Sequence, residues 1–313
     1  MQPDYPYLTL APWLRATFGR PVRRIALDAG SSCPNRDGTK GLGGCTYCDV
    51  EGSGTGAVKN GVELERQLHA GIERIKRGDP NTGAIAYFQS YTNTYVSDER
   101  LSEVLAVVEP FLGDPIVCVS IATRPDTLPP EALAVLQRLA QRIPVWVELG
   151  LETASDRVLT DINRLHTLEE FFDAVQRVKA AGLTTIAHAI LGLPGDGREG
   201  ARRTAEALAA SAVDGVKVHQ LMVLERTQMA AQWRQGELEV LDHETYVAWL
   251  ADFVERLRPN QILHRVMGDS PPDRLLAPLW DVHKNSITHA LASELRQRDS
   301  HQGRLFQASS VAR

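Results

Sequence analysis

The sequence predicts an α/β protein with a parallel β-sheet and helices packed outside it. Three observations carry this. Short apolar runs at 23–29, 84–89, 116–122, 145–151, 184–191 and 215–224 are too short for good helices. Stretches of helical period separate them. Strand–helix alternation of this kind joins parallel strands through crossovers. Six such units suit either an open doubly wound sheet or an incomplete barrel.

The elements follow in order. Residues 1–22 read as an N-terminal extension and 23–225 as the core. A helix over 99–112 places Leu101, Val104, Leu105 and Val108 on one face. A helix over 168–181 starts at Thr167 and Glu170, which have capping-box spacing, and stops at Gly182. After Leu224 the rhythm changes, and 226–300 reads as a C-terminal extension packing on the core. It holds a helix at 242–258, a short strand at 262–266, a break at Pro271-Pro272 and a last helix at 277–298. Residues 301–313 read as a flexible tail.

Composition narrows the function classes. The 313 residues include 34 Lys and Arg against 39 Asp and Glu, a formal net charge of −5. Such a chain is not coated for nucleic acid, although a local basic patch remains compatible with it. Arg15, Arg20, Arg23 and Arg24 form one basic group, and Arg256, Arg258, Arg265 and Arg274 a second. No run of about 18 apolar residues suggests a membrane span, and residues 1–20 show no signal-peptide pattern. With only four cysteines, the expectation is a reduced, cytoplasmic protein whose thiols are ligands or nucleophiles.

Three of those cysteines fall within sixteen positions, directly after the first apolar run. Eleven residues, rich in glycine and turn formers, separate Cys33 from Cys45, and two separate Cys45 from Cys48. Such a backbone can wrap tightly around a compact group. A structural zinc site wants four ligands, as does an electron-transfer 4Fe–4S cluster. Three thiolates on a cubane leave one iron open to a substrate or cosubstrate. Zinc completed by a distant His and a redox thiol set are the alternatives. Cys118, inside the third apolar run, reads as a small core residue.

The cysteine spacing, with the aromatic Tyr47 before the last Cys, resembles the radical S-adenosylmethionine (SAM) superfamily. Its long first gap resembles the bacterial YhcC/YtqA-like branch, kin to the Elongator catalytic subunit. The same branch is resembled by Tyr87-Phe-Gln-Ser-Tyr-Thr-Asn-Thr94, Ala122-Thr-Arg-Pro-Asp126, Glu148-Leu-Gly-Leu-Glu152, Asn163-Arg164 with His166, Ile190-Leu-Gly-Leu-Pro-Gly195, Val216-Lys-Val-His219, His264-Arg265 and Ala277-Pro-Leu-Trp280. Leu165 and Arg226 depart from the pattern, each standing where the family usually has Gly.

The resemblance implies a partial TIM-like (β/α)6 barrel with a C-terminal helical extension. It implies that Cys33, Cys45 and Cys48 hold a 4Fe–4S cluster and that SAM chelates its open iron. One electron, from a donor such as flavodoxin or ferredoxin, then yields a 5′-deoxyadenosyl radical that abstracts hydrogen. SAM contacts are expected from Tyr47, Gln89, Ser90, Glu148, Arg164, His188 and Leu191. Substrate contacts are expected from Tyr91, Asn93, Arg124, Asp126, Lys217 and His219. Lys217 and His219 stand two apart on one strand and so share a face. Arg124 and Asp126 also read as a rigid Arg-Pro-Asp turn. Kinship with the Elongator subunit suggests a tRNA substrate, a wobble uridine, without Elongator-type acetyl transfer.

Two other functions compete. One is a noncatalytic Fe–S or zinc protein. The other rests on Gly195-Asp-Gly197-Arg-Glu-Gly200, which matches the dinucleotide pattern G-x-G-x-x-G, with Glu225 ending the next run. A NAD-dependent dehydrogenase on that motif would leave the three cysteines unexplained.

Overall fold

The computed structural model describes residues 5–49, 54–270, 273–280, 282 and 284–307. The six apolar runs yield β1 (Val22–Leu27), β2 (Gly83–Phe88), β3 (Ile116–Thr123), β4 (Val145–Glu152), β5 (Thr184–Leu191) and β6 (Gly215–Gln220). The sixth run divides, leaving β7 (Val223–Leu224) as a separate short strand. The expected strand near 262 forms as β8 (Ile262–Arg265) and joins the main sheet beside β6 as a seventh strand. The core sheet therefore extends beyond residue 225. β9 (Leu275–Ala277) pairs antiparallel with β7.

All neighbours in the main sheet are parallel, in the order β1-β2-β3-β4-β5-β6-β8. That order never reverses. A doubly wound sheet reverses at a switch point, where it binds its nucleotide. This sheet has none and curls as a half-barrel, so the dinucleotide reading of 195–200 loses its structural context.

Helices cover the convex face. They are α2 (Leu64–Gly78), α3 (Asp98–Ala106), α4 (Pro130–Ala140), α6 (Leu168–Ala180) and α7 (Gly197–Ser211), whereas the short α5 (Asp156–Asp161) packs Val158 and Leu159 with Ile190, Leu221 and Val223. The Thr167–Glu170 capping box opens α6, and Gly182 follows its end at φ 70°. α3 is shorter than its periodicity suggests. Pro110 cannot continue the ladder, and a 3₁₀ turn at Glu109–Phe111 takes over.

Period-two alternation gives each strand two different faces. On β4, Val147, Leu149 and Leu151 join the core under the helices. Trp146, Glu148, Gly150 and Glu152 alternate with them and point inward. The inward face is apolar at its base, where Ile85, Cys118, Trp146, Ile186 and Ile262 pack against Leu10 and Leu14. The last two belong to α1 (Leu10–Phe18), so the N-terminal extension plugs the bottom of the half-barrel. Cys118 is fully buried, as a core residue should be.

The C-terminal extension contains α8 (Gln228–Arg234), α9 (His243–Arg256) and α10 (Lys284–Gln297). The last helix starts later than expected because residues 275–277 are spent on β9; Pro271 and Pro272 lie outside the described residues. Asp252 on α9 ties the layer together by accepting from Arg198, Arg202 and Arg298 at 2.7–2.9 Å. The expected tail is tethered through residue 307. Gln302 is buried and donates to the carbonyls of Arg258 and Gln261, and Leu305 bonds Glu255. Residues 1–4 and 308–313 lie outside the described residues.

The two departures from family pattern both occupy left-handed backbone, Leu165 at φ 60° and Arg226 at φ 64°. A side chain there costs roughly 1–2 kcal/mol, part of which glycine's extra freedom in the unfolded chain offsets. Arg226 is exposed, so little packing is lost with it. Arg226→Gly should therefore stabilise the protein by up to about 1 kcal/mol, read as a rise in Tm. A fall in Tm would mean that its side chain makes a stabilising contact.

Candidate active site

The concave face of the half-barrel opens into a cavity of about 550 Å³. Cys33, Cys45 and Cys48 line its mouth, and none of the three is in a disulfide. Gly43 and Gly44, at φ 78° and 84°, turn the chain so that the second and third thiols come back towards the first. Side chain and backbone bonds lock this loop against the segment after α5. Asn35 donates to the carbonyls of Asn163 and Arg164 (3.0 Å to the latter), and Asn163 returns bonds to Leu42 and Gly44 at 3.2 and 2.7 Å. The Thr46 backbone is held by Ile162 on one side and Met229 on the other. The Asn163-Arg164 phrase is therefore half clamp and half lining.

Donors surround the sulfurs. Arg36 Nη2 lies 3.2 Å from Cys48 Sγ, Asn35 Nδ2 lies 3.6 Å from Cys45 Sγ, and Arg164 Nη1 lies 4.0 Å from the same sulfur. Arg164 is not a surface arginine. It donates to the Gly150 carbonyl at 3.0 Å and pairs with Glu152 at 3.5 Å. A Cβ on Gly150 would crowd its guanidinium and the Glu152 carboxylate, so an added methyl would have to displace them. Burial raises the Glu152 carboxyl, with Arg164 partly offsetting it. Glu152 and Tyr91 also line the cavity, at φ 70° and 60°. Two strained non-glycine residues on one cavity wall point to function.

Deeper in, a charged layer crosses the half-barrel. Glu148 is 1% exposed, with Oε1 accepting from Ser120 at 2.6 Å and Oε2 shared by His188 (2.7 Å) and Lys217. Burial alone would raise the Glu148 carboxyl, but Lys217 and His188 hold it well below the usual range. Burial, partly offset by Glu148, pushes the Lys217 ammonium down to about 7. Lys217 also stands 4.1 Å from the centre of the Tyr87 ring. His219 Nδ1 donates to the Gln220 carbonyl at 3.1 Å; burial holds its ring neutral, which leaves Nε2 as an acceptor. Lys217 and His219 both face inward, as expected of neighbours two apart. The expected division of labour changes, because both Glu148 oxygens are already engaged and one of them by Lys217.

Several expected residues lie elsewhere. Tyr47, Gln89, Tyr91, Arg124, Glu148, Arg164, His188, Lys217 and His219 line the cavity, whereas Ser90, Asn93, Asp126 and Leu191 do not. Leu191 faces the helices because one step along a strand reverses the side chain; Ile190 lines the cavity instead. Asn93 braces the backbone at Phe88, Ser90 and Ala122. Ser90 is buried beneath Gly54. Asp126 anchors Arg124 at 2.7–2.8 Å and Lys40 at 2.5 Å; burial would raise its carboxyl, but these cations hold it at about 2. The Arg-Pro-Asp turn is thus rigid and also delivers Arg124 to the cavity. The fold divides the two basic groups: Arg24 and Arg265 line the cavity, Arg20, Arg256, Arg258 and Arg274 have partners, and Arg15 and Arg23 are exposed. Sequence reasoning missed Arg24, Arg36, Tyr87, Glu152 and Arg265. The inward register of β1 and β2 carried the signal for Arg24 and Tyr87.

The donor set discriminates among metal groups. Three thiols line one cavity with no disulfide among them and with Arg36, Asn35 and Arg164 donors around them, and a cubane held by three Cys fits this set. Arg164 Nε and Arg124 Nη1, both buried without a partner, add donors for an anionic ligand beside it. Replacing Cys33, Cys45 or Cys48 by Ala should each abolish iron binding on anaerobic reconstitution, whereas Cys118→Ala should retain it at a stability cost of about 1 kcal/mol. Full iron content in Cys45→Ala would rule out this ligand set.

Comparison with known proteins agrees with the geometry. Residues 33–208 match the Radical SAM superfamily, and residues 213–297 match the Radical SAM C-terminal domain. YtqA of Bacillus subtilis is 40% identical over 305 residues, covering 96% of this chain and 93% of YtqA. YhcC of Escherichia coli K12 is 34% identical over 270 residues, covering 85% of each. A tRNA uridine(34) acetyltransferase of Dehalococcoides mccartyi is 27% identical over 186 residues, covering 56% of this chain and 39% of that one. Among solved structures, an archaeal Elp3 of Methanocaldococcus infernus superposes with TM-score 0.70 at 17% identity, covering 90% of this chain and 64% of that one. Members of the radical SAM superfamily bind a 4Fe–4S cluster and SAM, and a half-barrel with three cysteines at its mouth, a superfamily match over more than half its length and a 40% identical relative leave one assignment: the chain belongs to that superfamily, in its YhcC/YtqA-like branch.

Proposed function

We propose that this chain is an enzyme that cleaves SAM reductively and removes a hydrogen atom from a tRNA uridine. One observation carries the reaction. The three cysteine thiols and the buried Glu148–Lys217–His188 group share a single cavity closed at its base. When bound, the cluster would supply the open iron and the electron for SAM cleavage, an external donor such as flavodoxin or ferredoxin replacing that electron.

The chain's own residues have separable tasks. Cys33, Cys45 and Cys48 would hold the cluster, and hydrogen bonds from Asn35 and Arg36 to sulfur tune its potential. Arg164 and Glu152, paired beside Cys45, present opposite charges to the carboxylate and ammonium of an amino acid. Ile190 and Leu221 give an apolar wall on which a base can lie. The α1 plug and the packed strands exclude water, which limits side reactions of a reactive carbon centre. Proton handling falls to His219 Nε2, a neutral acceptor, and to the Lys217 ammonium, which shares Glu148 Oε2 with His188. The similarity to a tRNA uridine(34) acetyltransferase supports the substrate class.

Anaerobically reconstituted protein given SAM and dithionite should release 5′-deoxyadenosine and methionine. Arg164→Ala and Gly150→Ala should each weaken SAM binding roughly tenfold or more at near-normal iron content, since each loses or displaces a charge-assisted contact. Unchanged SAM affinity in both would place SAM elsewhere. His219→Ala should retain iron and SAM binding but form no product. The substrate is read by mass spectrometry of tRNA nucleosides from a deletion strain and its parent; identical profiles would remove tRNA from the proposal.

A further inference from the structure

The charged layer inside the half-barrel is unbalanced. Arg24 on β1, Lys217 on β6 and Arg265 on β8 all line the cavity, but Glu148, the carboxylate at this level, is already engaged by Lys217, His188 and Ser120. Arg24 Nη2 and Arg265 Nε are buried with no hydrogen-bond partner. Burial lowers the Arg265 guanidinium from its ordinary value, Tyr87 and Glu148 raise it and Arg24 lowers it, so the two arginines repel each other. Both side chains are half-buried, and a buried N–H without a partner is costly unless a ligand supplies one.

Their position is specific. β1 and β8 are the two edges of the main sheet, so the two arginines stand on opposite sides of the open seam of the half-barrel. Arg265 is in register with Lys217. Arg24 lies two residues deeper along β1 than Ala26, the next residue lining the same face, and the cysteine loop follows that strand's far end. The pair is therefore separate from Arg164 and Glu152, which sit with Cys45 at the mouth.

We propose that Arg24 and Arg265 form an anion subsite that takes a carboxylate or phosphate carried by the substrate and holds it across the seam between β1 and β8. This rests on the reading of the cavity as the reaction chamber, and it adds that the group presented to that chamber carries a negative charge. An anion between the two guanidinia replaces their repulsion by two charge-assisted contacts. It also draws the edge strands together where no ladder joins them.

The test uses cluster-loaded protein saturated with SAM, titrated with acetate, inorganic phosphate or chloride at constant ionic strength and followed by thermal unfolding. Acetate or phosphate should raise Tm beyond chloride, and the stronger of the two assigns the substrate's anion. Arg24→Gln and Arg265→Gln should each weaken that anion roughly tenfold or more, with SAM affinity unchanged by equilibrium dialysis. Arg265→Lys, which keeps the charge, should retain part of the effect and serves if a Gln variant does not fold. Equal shifts with all three anions, or undiminished shifts in both Gln variants, would overturn the subsite. So would loss of SAM affinity parallel to loss of anion affinity, because the arginines would then belong to SAM. Wild-type protein that shows the anion shift but binds no SAM would sink the proposed reaction and leave the subsite standing.

Discussion

The buried pair of Glu148 and Lys217 sets the terms for the rest of the interior. Two opposite charges at 1% exposure are tolerated only with good geometry and with their remaining hydrogen-bonding capacity used. Ser120 and His188 complete the carboxylate, and the Tyr87 ring lies against the ammonium. Removing one partner from such a pair leaves a buried charge, at a cost of about 3–5 kcal/mol. Strands β2, β3, β4, β5 and β6 each contribute one member of this group. The curvature of the sheet and the chemistry of the cavity are therefore fixed together.

The pair also explains the division of the interior into levels. Below it the half-barrel is apolar, filled by Trp146, Ile85 and the α1 residues Leu10 and Leu14. Above it come Gln89, Gly150, Ile190 and His219, and then the cysteines. A dry base raises the strength of every electrostatic contact in the layer above it. The same dryness makes each unpaired guanidinium N–H expensive, which is why the unpartnered atoms of Arg24, Arg124, Arg164 and Arg265 mark a chamber built for anions.

The mouth is organised by backbone geometry. Asn35 and Asn163 reciprocally fasten the cysteine loop to the segment after α5, so the thiols move with the barrel wall. Tyr91, Glu152, Asn163 and Leu165 take left-handed conformations around this junction. Leu165 Cδ1 would stand 2.8 Å from a Cβ on Gly41, so the loop closes against a side chain that the family pattern would omit. The strain is held in place by neighbouring hydrogen bonds, as it is where a functional geometry is over-determined.

The sequence alone determined the strand–helix alternation, because burying one or both faces of a strand leaves a period in the residues. It determined the α6 capping box, because Thr167 and Glu170 act through local bonds. It determined the cysteine loop, because ligand spacing is local too. What it left open was everything that depends on which strands meet. Whether the sheet curls or winds doubly rests on strand order, which no single segment encodes. β8 was read as an appendage because its four residues look alike in an edge strand and in an extension. Arg24 and Arg265 read as surface charge, since only closure of the half-barrel turns their faces into an interior. Ser90, Asn93 and Asp126 are polar residues in the right phrases, yet tertiary packing buries Ser90 beneath Gly54, spends Asn93 on bracing the backbone and spends Asp126 on holding Arg124. A side chain's type is written in the sequence; whether it faces solvent, core or cavity is decided by contacts between segments a hundred or more residues apart.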